Sequence, residues 1–182
     1  MNQGLSSRET LLVSAKALFW TRGYSNVSVR EIAREAGVDV ALINRYFDSK
    51  LGLFKATLET LDPVDPKDFS SPEDFIEAIV DMFVTTPRDG STVSPVSMIL
   101  MNASDPEVGD IVIKGHHKKW HVGLTEIFGS PTKAALFFAA VMGFSVADKT
   151  LHLKGIAPVG TDEYADQLRY VLRSAVSFAD EQ

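Results

Sequence analysis

Residues 28–47 read SVREIAREAGVDVALINRYF, and this stretch decides how the amino-terminal part of the chain folds. Ser28 followed three residues later by Glu31 is a capping box, so a helix is predicted to begin here and to end at Gly37. Asp39 is placed to cap a short third helix that runs to the end of the stretch. Two helices joined by a short turn that contains glycine are typical of a helix-turn-helix.

Two further helices are predicted to flank this stretch. Ser6 and Glu9 form another capping box, and the helix that they open is predicted to end at Gly23. A fourth helix is predicted to begin at Ser49-Lys50 and to run to about Leu61. The apolar residues of the first helix repeat at helical spacing: Leu11, Leu12, Ala15, Leu18 and Phe19.

The rest of the chain is also predicted to be helical, after a loop over residues 62–72 that holds three prolines. Each further helix is marked by a capping side chain, a proline in the first turn, or both. The predicted helices begin at Ser71, run near Pro95–Asn102, extend from Asp105 toward Phe128, from Ser130 to about Leu153, and from Thr161 to Asp180. The pattern predicts an all-α fold with a three-helix head over residues 1–60 and a helical body over residues 61–182.

Composition and charge limit the class of protein. The chain has 45% hydrophobic and 23% charged residues and no cysteine, which excludes disulfides and thiolate metal sites. The amino terminus lacks the pattern of a signal peptide, and the apolar run near Ala134–Val146 is shorter than a membrane span. We therefore expect a cytoplasmic protein with no membrane partner.

The two predicted domains differ in charge. The head holds eight basic and six acidic side chains, whereas the body holds ten basic and eighteen acidic ones. The net charge of −6 therefore divides into +2 on the head and −8 on the body. Such a distribution would turn the head toward a polyanion such as DNA.

The stretch Arg8–Leu61 resembles the amino-terminal domain of the TetR family of transcriptional regulators. Two features of the body, Asp105-Pro106-Glu107 and the helix Leu136–Leu153, resemble the carboxy-terminal domains of some members. The matching head residues are Leu11-Leu12, Ala15, Leu18-Phe19, Gly23-Tyr24, Ser28–Ala33, Ala36-Gly37-Val38, Tyr46-Phe47, Ser49-Lys50 and Leu53. The resemblance implies a homodimer, DNA binding through the third helix, and a body that binds a small molecule which releases the DNA.

The third helix is expected to read DNA bases. Ile43 and Phe47 are spaced four residues apart and should face the core. Asparagine pairs with adenine and arginine with guanine in the major groove, and apolar side chains contact thymine methyl groups. The residues left toward the groove are Val40, Ala41, Leu42, Asn44 and Arg45. The family usually carries tyrosine in place of Asn44, so a different base preference is expected.

Three further residues are expected to contact DNA phosphates. Ser28 lies at a helix amino terminus, where backbone N–H groups and the helix dipole favour an anion. Lys50 lies at the start of the fourth helix and matches the family's lysine, and Tyr46 offers a hydroxyl group. Ser28 is expected to act both as a cap and as a phosphate contact.

The body is expected to hold an effector pocket and a dimer interface. Methionine and aromatic side chains suit a small apolar or aromatic effector. The predicted pocket residues are Met82, Phe83, Met98, Met101, Trp120 and Phe144. The last two predicted helices carry apolar residues on more than one face, which indicates a second copy of the chain as a partner. The predicted interface residues are Phe137, Val141, Leu168, Val171, Leu172, Ala175 and Phe178.

The sequence leaves two alternatives to a ligand-released repressor. One is a constitutive DNA-binding dimer that has no effector. The other is a metal-dependent helical enzyme that uses His116, His117 and His121, although Lys118 and Lys119 beside them disfavour a cation. We expect no enzyme activity, no catalytic residues, no metal and no cofactor.

Overall fold

The computed structural model describes residues 5–60, 64–87 and 93–179. These residues form α-helices and contain no β-sheet, which confirms the predicted all-α class. A 3-10 helix spans Pro66–Asp68, and a wide π turn, His117–His121, joins the seventh and eighth helices. The α-helices are α1 Ser7–Arg22, α2 Val29–Ala36, α3 Ala41–Phe47, α4 Lys50–Glu59, α5 Pro72–Thr85, α6 Pro95–Asn102, α7 Gly109–His116, α8 Val122–Phe128, α9 Pro131–Lys149 and α10 Asp162–Val176.

The first two helices begin and end at the predicted capping residues. The Ser6 hydroxyl accepts the N–H of Glu9 at 3.3 Å, and the Glu9 carboxylate accepts the N–H of Ser6 at 2.8 Å. α2 begins with the same reciprocal pair at Ser28. Both helices end at glycines of positive φ, 84° at Gly23 and 67° at Gly37, a backbone conformation that favours glycine.

The described residues form two compact units, and the first unit comprises residues 5–60 together with residues 93–114. α6 packs against α1, and Met98 of α6 and Val112 of α7 lie buried in the same core as Phe19 of α1. The sequence analysis assigned α6 and α7 to the body. Apolar spacing identifies the buried face of a helix but not the core that receives it, so spacing could not reveal this arrangement. The division into two functional domains stays a prediction.

The second unit comprises residues 64–87 and 115–179 and is built on α5, α8, α9 and α10. The buried ring of Phe75 lies with its centroid 5.6 Å from that of Phe137. α10 packs against α5 and α9, and Arg169 donates hydrogen bonds of 2.6 and 2.9 Å to the two carboxylate oxygens of Glu77. A bidentate pair of this kind fixes the orientation of α10 on α5.

The predicted long helix from Asp105 to Phe128 is not continuous. Its predicted start at Asp105 is a turn, in which the Asp105 carboxylate accepts the N–H groups of Glu107 at 2.9 Å and of Val108 at 3.2 Å, and α7 begins at Gly109. The helix then consists of α7, the π turn and α8. A π turn widens the helix locally and leaves no signature in apolar spacing.

Other predicted helix ends differ by a few residues or are outside the described ranges. α9 ends at Lys149 instead of near Leu153. The predicted end of the fourth helix at Leu61 and of the last helix at Asp180 both lie outside the described residues. Within the described ranges, no single helix is long and apolar enough to cross a membrane, although α8 and α9, bent by 112°, pass that test as a pair.

Candidate nucleic-acid interface

α3 has one buried side and one exposed side. Ile43 and Phe47 are 1% and 5% exposed and lie in the core of the first unit, as predicted. The residues exposed here are Val40, Ala41, Asn44, Arg45 and Tyr46. Leu42, by contrast, is half-buried and packs against the core, which leaves it less surface for a base contact.

The capping position of α3 lies one residue later than predicted, at residue 40 instead of Asp39. Val40 occupies the capping position and provides no capping side chain. The Asp39 carboxylate instead accepts the N–H of Ala41 at 2.7 Å. Asp39 therefore still satisfies a backbone donor in the first turn of α3.

A chain of contacts holds the Arg45 side chain at the surface. The ring of Tyr46 meets the buried ring of Phe47 edge-on, with centroids 6.4 Å apart. The guanidinium carbon of Arg45 lies 5.8 Å from the centroid of the Tyr46 ring, within the range of a cation–π contact. This arrangement presents the planar fork of an arginine on the exposed side of α3.

Lys50 is the first residue of α4, and Ser49 caps that helix by accepting the N–H of Gly52 at 3.0 Å. The Lys50 ammonium lies 4.0 Å from the ring centroid of Tyr24, and the side chain is half-buried. A positive charge in the first turn opposes the helix dipole. The position of Lys50 is therefore unfavourable for α4 itself, and its contact with Tyr24 holds the charge beside α3.

Ser28 acts as a helix cap. The Glu31 carboxylate accepts both the N–H and the hydroxyl of Ser28, at 2.8 and 2.9 Å, and also pairs with Arg22 at 3.2 Å. The hydrogen bonds from Ser28, with a smaller contribution from Arg22, lower the pKa of Glu31 to about 2. Because a carboxylate already uses these two donors, the predicted phosphate contact of Ser28 stays a prediction.

Three residues near this surface were not singled out from the sequence as site residues. The guanidinium carbon of Arg8 lies 5.1 Å from the ring centroid of Phe47, which places another positive charge close to α3. Tyr24 supports Lys50, and Asn102 of α6 binds the backbone of Tyr24. None of the three has a signal in helical spacing, because each contact joins helices that are distant in sequence.

The six predicted pocket residues are divided between the two units. Phe83 and Phe144 are buried in the core of the second unit with ring centroids 6.3 Å apart, and Met82 and Trp120 are half-buried against that core. Met98 instead lies in the core of the first unit. A surface groove of about 470 Å³ lies along α10 and is lined by residues that the sequence analysis did not select for the pocket: Asp166, Arg169, Tyr170, Arg173, Ser174 and Ser177.

Met101 also departs from the predicted pocket. It is 47% exposed and belongs to the first unit, in the last turn of α6. The helix that carries Met98 and Met101 packs in the first unit, and the predicted pocket stays a prediction.

The predicted interface residues divide by exposure. Three of them are fully buried in the core of their own chain and have no surface for a partner: Phe137, Leu168 and Leu172. The others are half-buried or exposed: Val141, Val171, Ala175 and Phe178. Tyr170, which the sequence analysis did not select, is 74% exposed on α10.

Three of the four histidines, His116, His117 and His121, lie at or beside the π turn. The His116 ring stacks on Phe138 with centroids 4.0 Å apart, and burial, followed by the charges of His121 and His117, lowers the pKa of His116. The rings of His117 and His121 lie 5.0 Å apart. Across the described ranges, no three or more histidine, aspartate or glutamate side chains are grouped to hold a metal ion, so the enzyme alternative gains no support.

The amino-terminal segment matches known proteins by sequence. Residues 11–57 match the family described as bacterial regulatory proteins, tetR family. A segment of 51 residues, 28% of the chain, is 45% identical to a probable HTH-type transcriptional regulator of Bacillus subtilis, YttP. That alignment spans 25% of the length of YttP. The matched residues include α2, α3 and the start of α4, which build the surface described above.

The fold of the whole chain matches solved structures of low sequence identity. NalD of Pseudomonas aeruginosa, a secondary repressor of the MexAB-OprM multidrug efflux pump, is 17% identical with a TM-score of 0.67 over 94% of this chain and 95% of its own. A mutant HlyIIR protein is 19% identical with a TM-score of 0.61 over 91% and 96%. A putative TetR-family regulator of Mesorhizobium loti has a TM-score of 0.52 at 17% identity over 94% and 93%. The chain therefore carries, over residues 11–57, a segment that matches the tetR family of bacterial regulatory proteins, and its fold matches these solved structures over nearly its whole length.

Proposed function

We propose that the protein is a transcriptional repressor that binds DNA as a homodimer and is released by a small molecule. The observation that carries this proposal is α3, which buries Ile43 and Phe47 and exposes Asn44, Arg45 and Tyr46 on its other side. An α-helix fits the major groove, where each base pair presents its own pattern of donors and acceptors. The match of residues 11–57 to the tetR family, which includes α3, supports the same role for this helix.

Sequence preference is assigned to Asn44 and Arg45. Asparagine makes paired hydrogen bonds with adenine, and arginine makes them with guanine. Both side chains are exposed, and the contact between Arg45 and Tyr46 limits how far the guanidinium moves. Because Asn44 replaces the tyrosine usual in the family, we expect the selected DNA sequence to differ from those of most members.

Phosphate binding is assigned chiefly to Lys50, with Tyr46 as a second group. Lys50 is held over the Tyr24 ring at the start of α4, where its charge does not stabilise the helix. A phosphate in this place would supply the opposite charge. Phosphate contacts set the position of the protein on the duplex and carry no sequence information.

The proposed dimer forms through the outer faces of α9 and α10. Phe178 is 50% exposed and Tyr170 is 74% exposed, while Val141, Val171 and Ala175 are half-buried. Exposed aromatic side chains beside apolar ones are typical of the centre of a protein interface. A twofold dimer would present two copies of α3, which suits a palindromic operator with half-sites roughly 34–36 Å apart.

Release by an effector is assigned to the second unit. Met82 and Trp120 are half-buried against the core that contains Phe83 and Phe144, and side chains of these types suit a small apolar or aromatic molecule. The effector would shift the dimer toward a state that does not fit the operator, which requires tighter binding to that state. We propose repression and not activation by analogy with NalD, which is a repressor.

Selection of binding sites from a random duplex library tests the DNA-binding proposal. The purified full chain is expected to enrich a palindrome with half-site centres about 10 base pairs apart. The variant that combines Arg45→Ala with Lys50→Ala is the control, and it should enrich none. Equal enrichment by both proteins, or none by the unmodified protein, would refute the proposal.

Effector release needs a separate measurement. Apolar aromatic compounds that raise the melting temperature are expected to weaken binding to the selected palindrome, measured by fluorescence anisotropy. Compounds that stabilise the protein and leave its DNA affinity unchanged would favour a constitutive DNA-binding dimer instead.

A further inference from the structure

Asn102, the last residue of α6, is fully buried in the first unit and makes three hydrogen bonds there. Its amide oxygen accepts the N–H of Tyr24 at 2.8 Å. Its amide nitrogen donates to the carbonyl oxygens of Phe19 at 3.0 Å and Met98 at 2.8 Å. A buried amide is costly unless it is paired, and both ends of this amide are paired. One of the three bonds joins α6 to α1, at Phe19, and another joins it to Tyr24 in the turn that follows α1.

The same segment contacts the residues on either side of Tyr24. A Cβ added to Gly23 would lie 3.0 Å from the carbonyl oxygen of Met101, so α6 approaches the backbone closely at this point. The N–H of Ser25 donates to the Asp105 carboxylate at 3.1 Å. Two consecutive residues of the turn between α1 and α2, Tyr24 and Ser25, are therefore hydrogen-bonded to Asn102 and Asp105, and Gly23 lies close to Met101.

Tyr24 in turn supports Lys50. The Tyr24 ring is buried and lies 5.5 Å from the ring of Phe19 and 5.3 Å from that of Phe54, measured between centroids. The Lys50 ammonium lies 4.0 Å from the centroid of the Tyr24 ring, a short cation–π distance. The place of this ring therefore determines where the ammonium of Lys50 rests.

We propose that Asn102 is a positioning residue for DNA binding: it fixes Tyr24, and the Tyr24 ring holds the Lys50 ammonium in place for a phosphate. The inference rests on the proposed function, because Lys50 is the phosphate contact assigned there. It gives α6, which lies outside the family's matched segment, a part in DNA binding. Asn102 itself is buried and touches no DNA.

A double-mutant cycle tests this role with a selected palindrome, a series of salt concentrations, and variants shown to be folded by circular dichroism. Asn102→Ala should lower DNA affinity about two- to fivefold, the fold-change equivalent to a surface cation–π contact. It should also reduce the slope of log affinity against log salt by up to about one, as expected for one phosphate contact. In a Lys50→Ala background, Asn102→Ala should have little further effect, because the residue acts through Lys50.

Thr57→Val is the matched control. The Thr57 hydroxyl is buried in the same unit and accepts the Trp20 indole N–H at 3.2 Å, and it makes no bond to Tyr24. This variant should lower the melting temperature and leave the salt slope unchanged. A change of slope equal to that of Asn102→Ala would show that destabilisation alone explains the result and would overturn the proposal.

A second variant and a measurement without DNA keep the proposal testable if Asn102→Ala does not fold. Tyr24→Leu removes the ring and retains the backbone N–H that Asn102 binds, so it should reduce the salt slope in the same way. Acylation of Lys50, followed by mass spectrometry with the exposed Lys55 as reference, should become faster in Asn102→Ala and in Tyr24→Leu and stay unchanged in Thr57→Val. Unchanged slope and acylation would overturn the inference, whereas failure of the unmodified protein to bind DNA would refute the proposed function instead.

Discussion

Single side chains on the surface of the first unit carry the proposed contacts with DNA, and each has a distinct physical role. Lys50 places a charge where the dipole of α4 disfavours it, and a ring supports that charge. Arg45 presents a planar fork that suits two acceptors on one base. The first residue should therefore affect all DNA sequences alike, and the second should affect sequence preference.

Lys50→Ala is expected to weaken binding to all duplexes by a similar factor. Loss of one phosphate contact should flatten the dependence of log affinity on log salt by roughly one unit. Lys55→Ala, an exposed lysine on the same helix, is the control and should have a smaller effect. Loss of affinity for one sequence class alone, with an unchanged slope, would rule out the phosphate role.

Arg45→Ala and Asn44→Ala are expected to relax sequence preference at one position of each half-site, at a cost of about 1–3 kcal/mol for the correct base. Arg45→Lys is the matched control, because it retains the charge and loses the planar fork. Site selection with each variant measures the effect. If all variants select the same motif as the unmodified protein, these side chains do not read bases.

At the scale of helices, local sequence determines where α2, the helix that precedes α3, begins and ends. Ser28 and Glu31 close the start of α2, and Gly37 ends it in the left-handed conformation. Because the ionised carboxylate of Glu31 accepts the hydrogen bonds from Ser28, the stability of the helix start depends on the charge of Glu31. That dependence has a definite direction with pH.

Glu31→Gln is expected to destabilise the protein at neutral pH. The pKa of Glu31 is lowered to about 2 from an ordinary value of 4.5, so the charged form stabilises the folded state above pH 4.5. This contribution should decline as the pH falls from 4.5 toward 2. Glutamine retains the capping geometry, so the variant removes only the charge.

Urea unfolding of both proteins between pH 7 and pH 3 measures this effect. The difference in the free energy of unfolding should be largest at pH 7 and should shrink toward pH 3. Glu35→Gln is the control, because Glu35 lies on α2 outside the capping box. A difference for Glu31→Gln that stays constant over this range would contradict the assigned role of the charge.

At the scale of the whole molecule, the outer face of α10 exposes large aromatic side chains that the packing of a single chain does not bury. Its inner face places Leu168 and Leu172 in the core, and its outer face exposes Tyr170 and, just beyond the helix, Phe178. One chain therefore uses one side of this helix, and a second copy is the proposed partner of the other.

Phe178→Asp is expected to yield folded monomers, because the side chain is exposed within its own chain and a charge would oppose burial in an interface. Sedimentation velocity at micromolar concentration measures the oligomeric state. Val171→Asp, at a half-buried position, should also weaken the dimer. Leu172→Asp is the contrasting variant and should unfold the chain, since Leu172 is in the core.

Two results would contradict the proposed interface. A Phe178→Asp protein that stays fully dimeric would show that the interface lies elsewhere. An unmodified protein that is monomeric at this concentration, and binds the palindrome without cooperativity, would refute the dimer and the release mechanism that depends on it.

Much of the local structure and of the α3 surface could be predicted from sequence. The capping boxes at Ser6 and Ser28 and the glycine at Gly37 act within four residues, so the sequence determines these helix ends directly. The burial of Ile43 and Phe47 follows from their spacing on one short helix. The pocket and the interface stay predictions, because apolar side chains such as Met98 and Leu172 show the same spacing whichever core receives them.

By itself the sequence determined the all-α class, the boundaries of the first two helices and the exposed residues of α3 other than Leu42, which is half-buried, since these depend on neighbours along the chain. The tertiary structure alone decided that α6 packs in the first unit, that α7 leads into a π turn, and that Asn102 binds Tyr24. The bond from Asn102 to Tyr24 joins residues 78 positions apart. No local pattern encodes such a pairing, because it depends on how whole helices pack to bury their apolar faces and pair their buried polar groups.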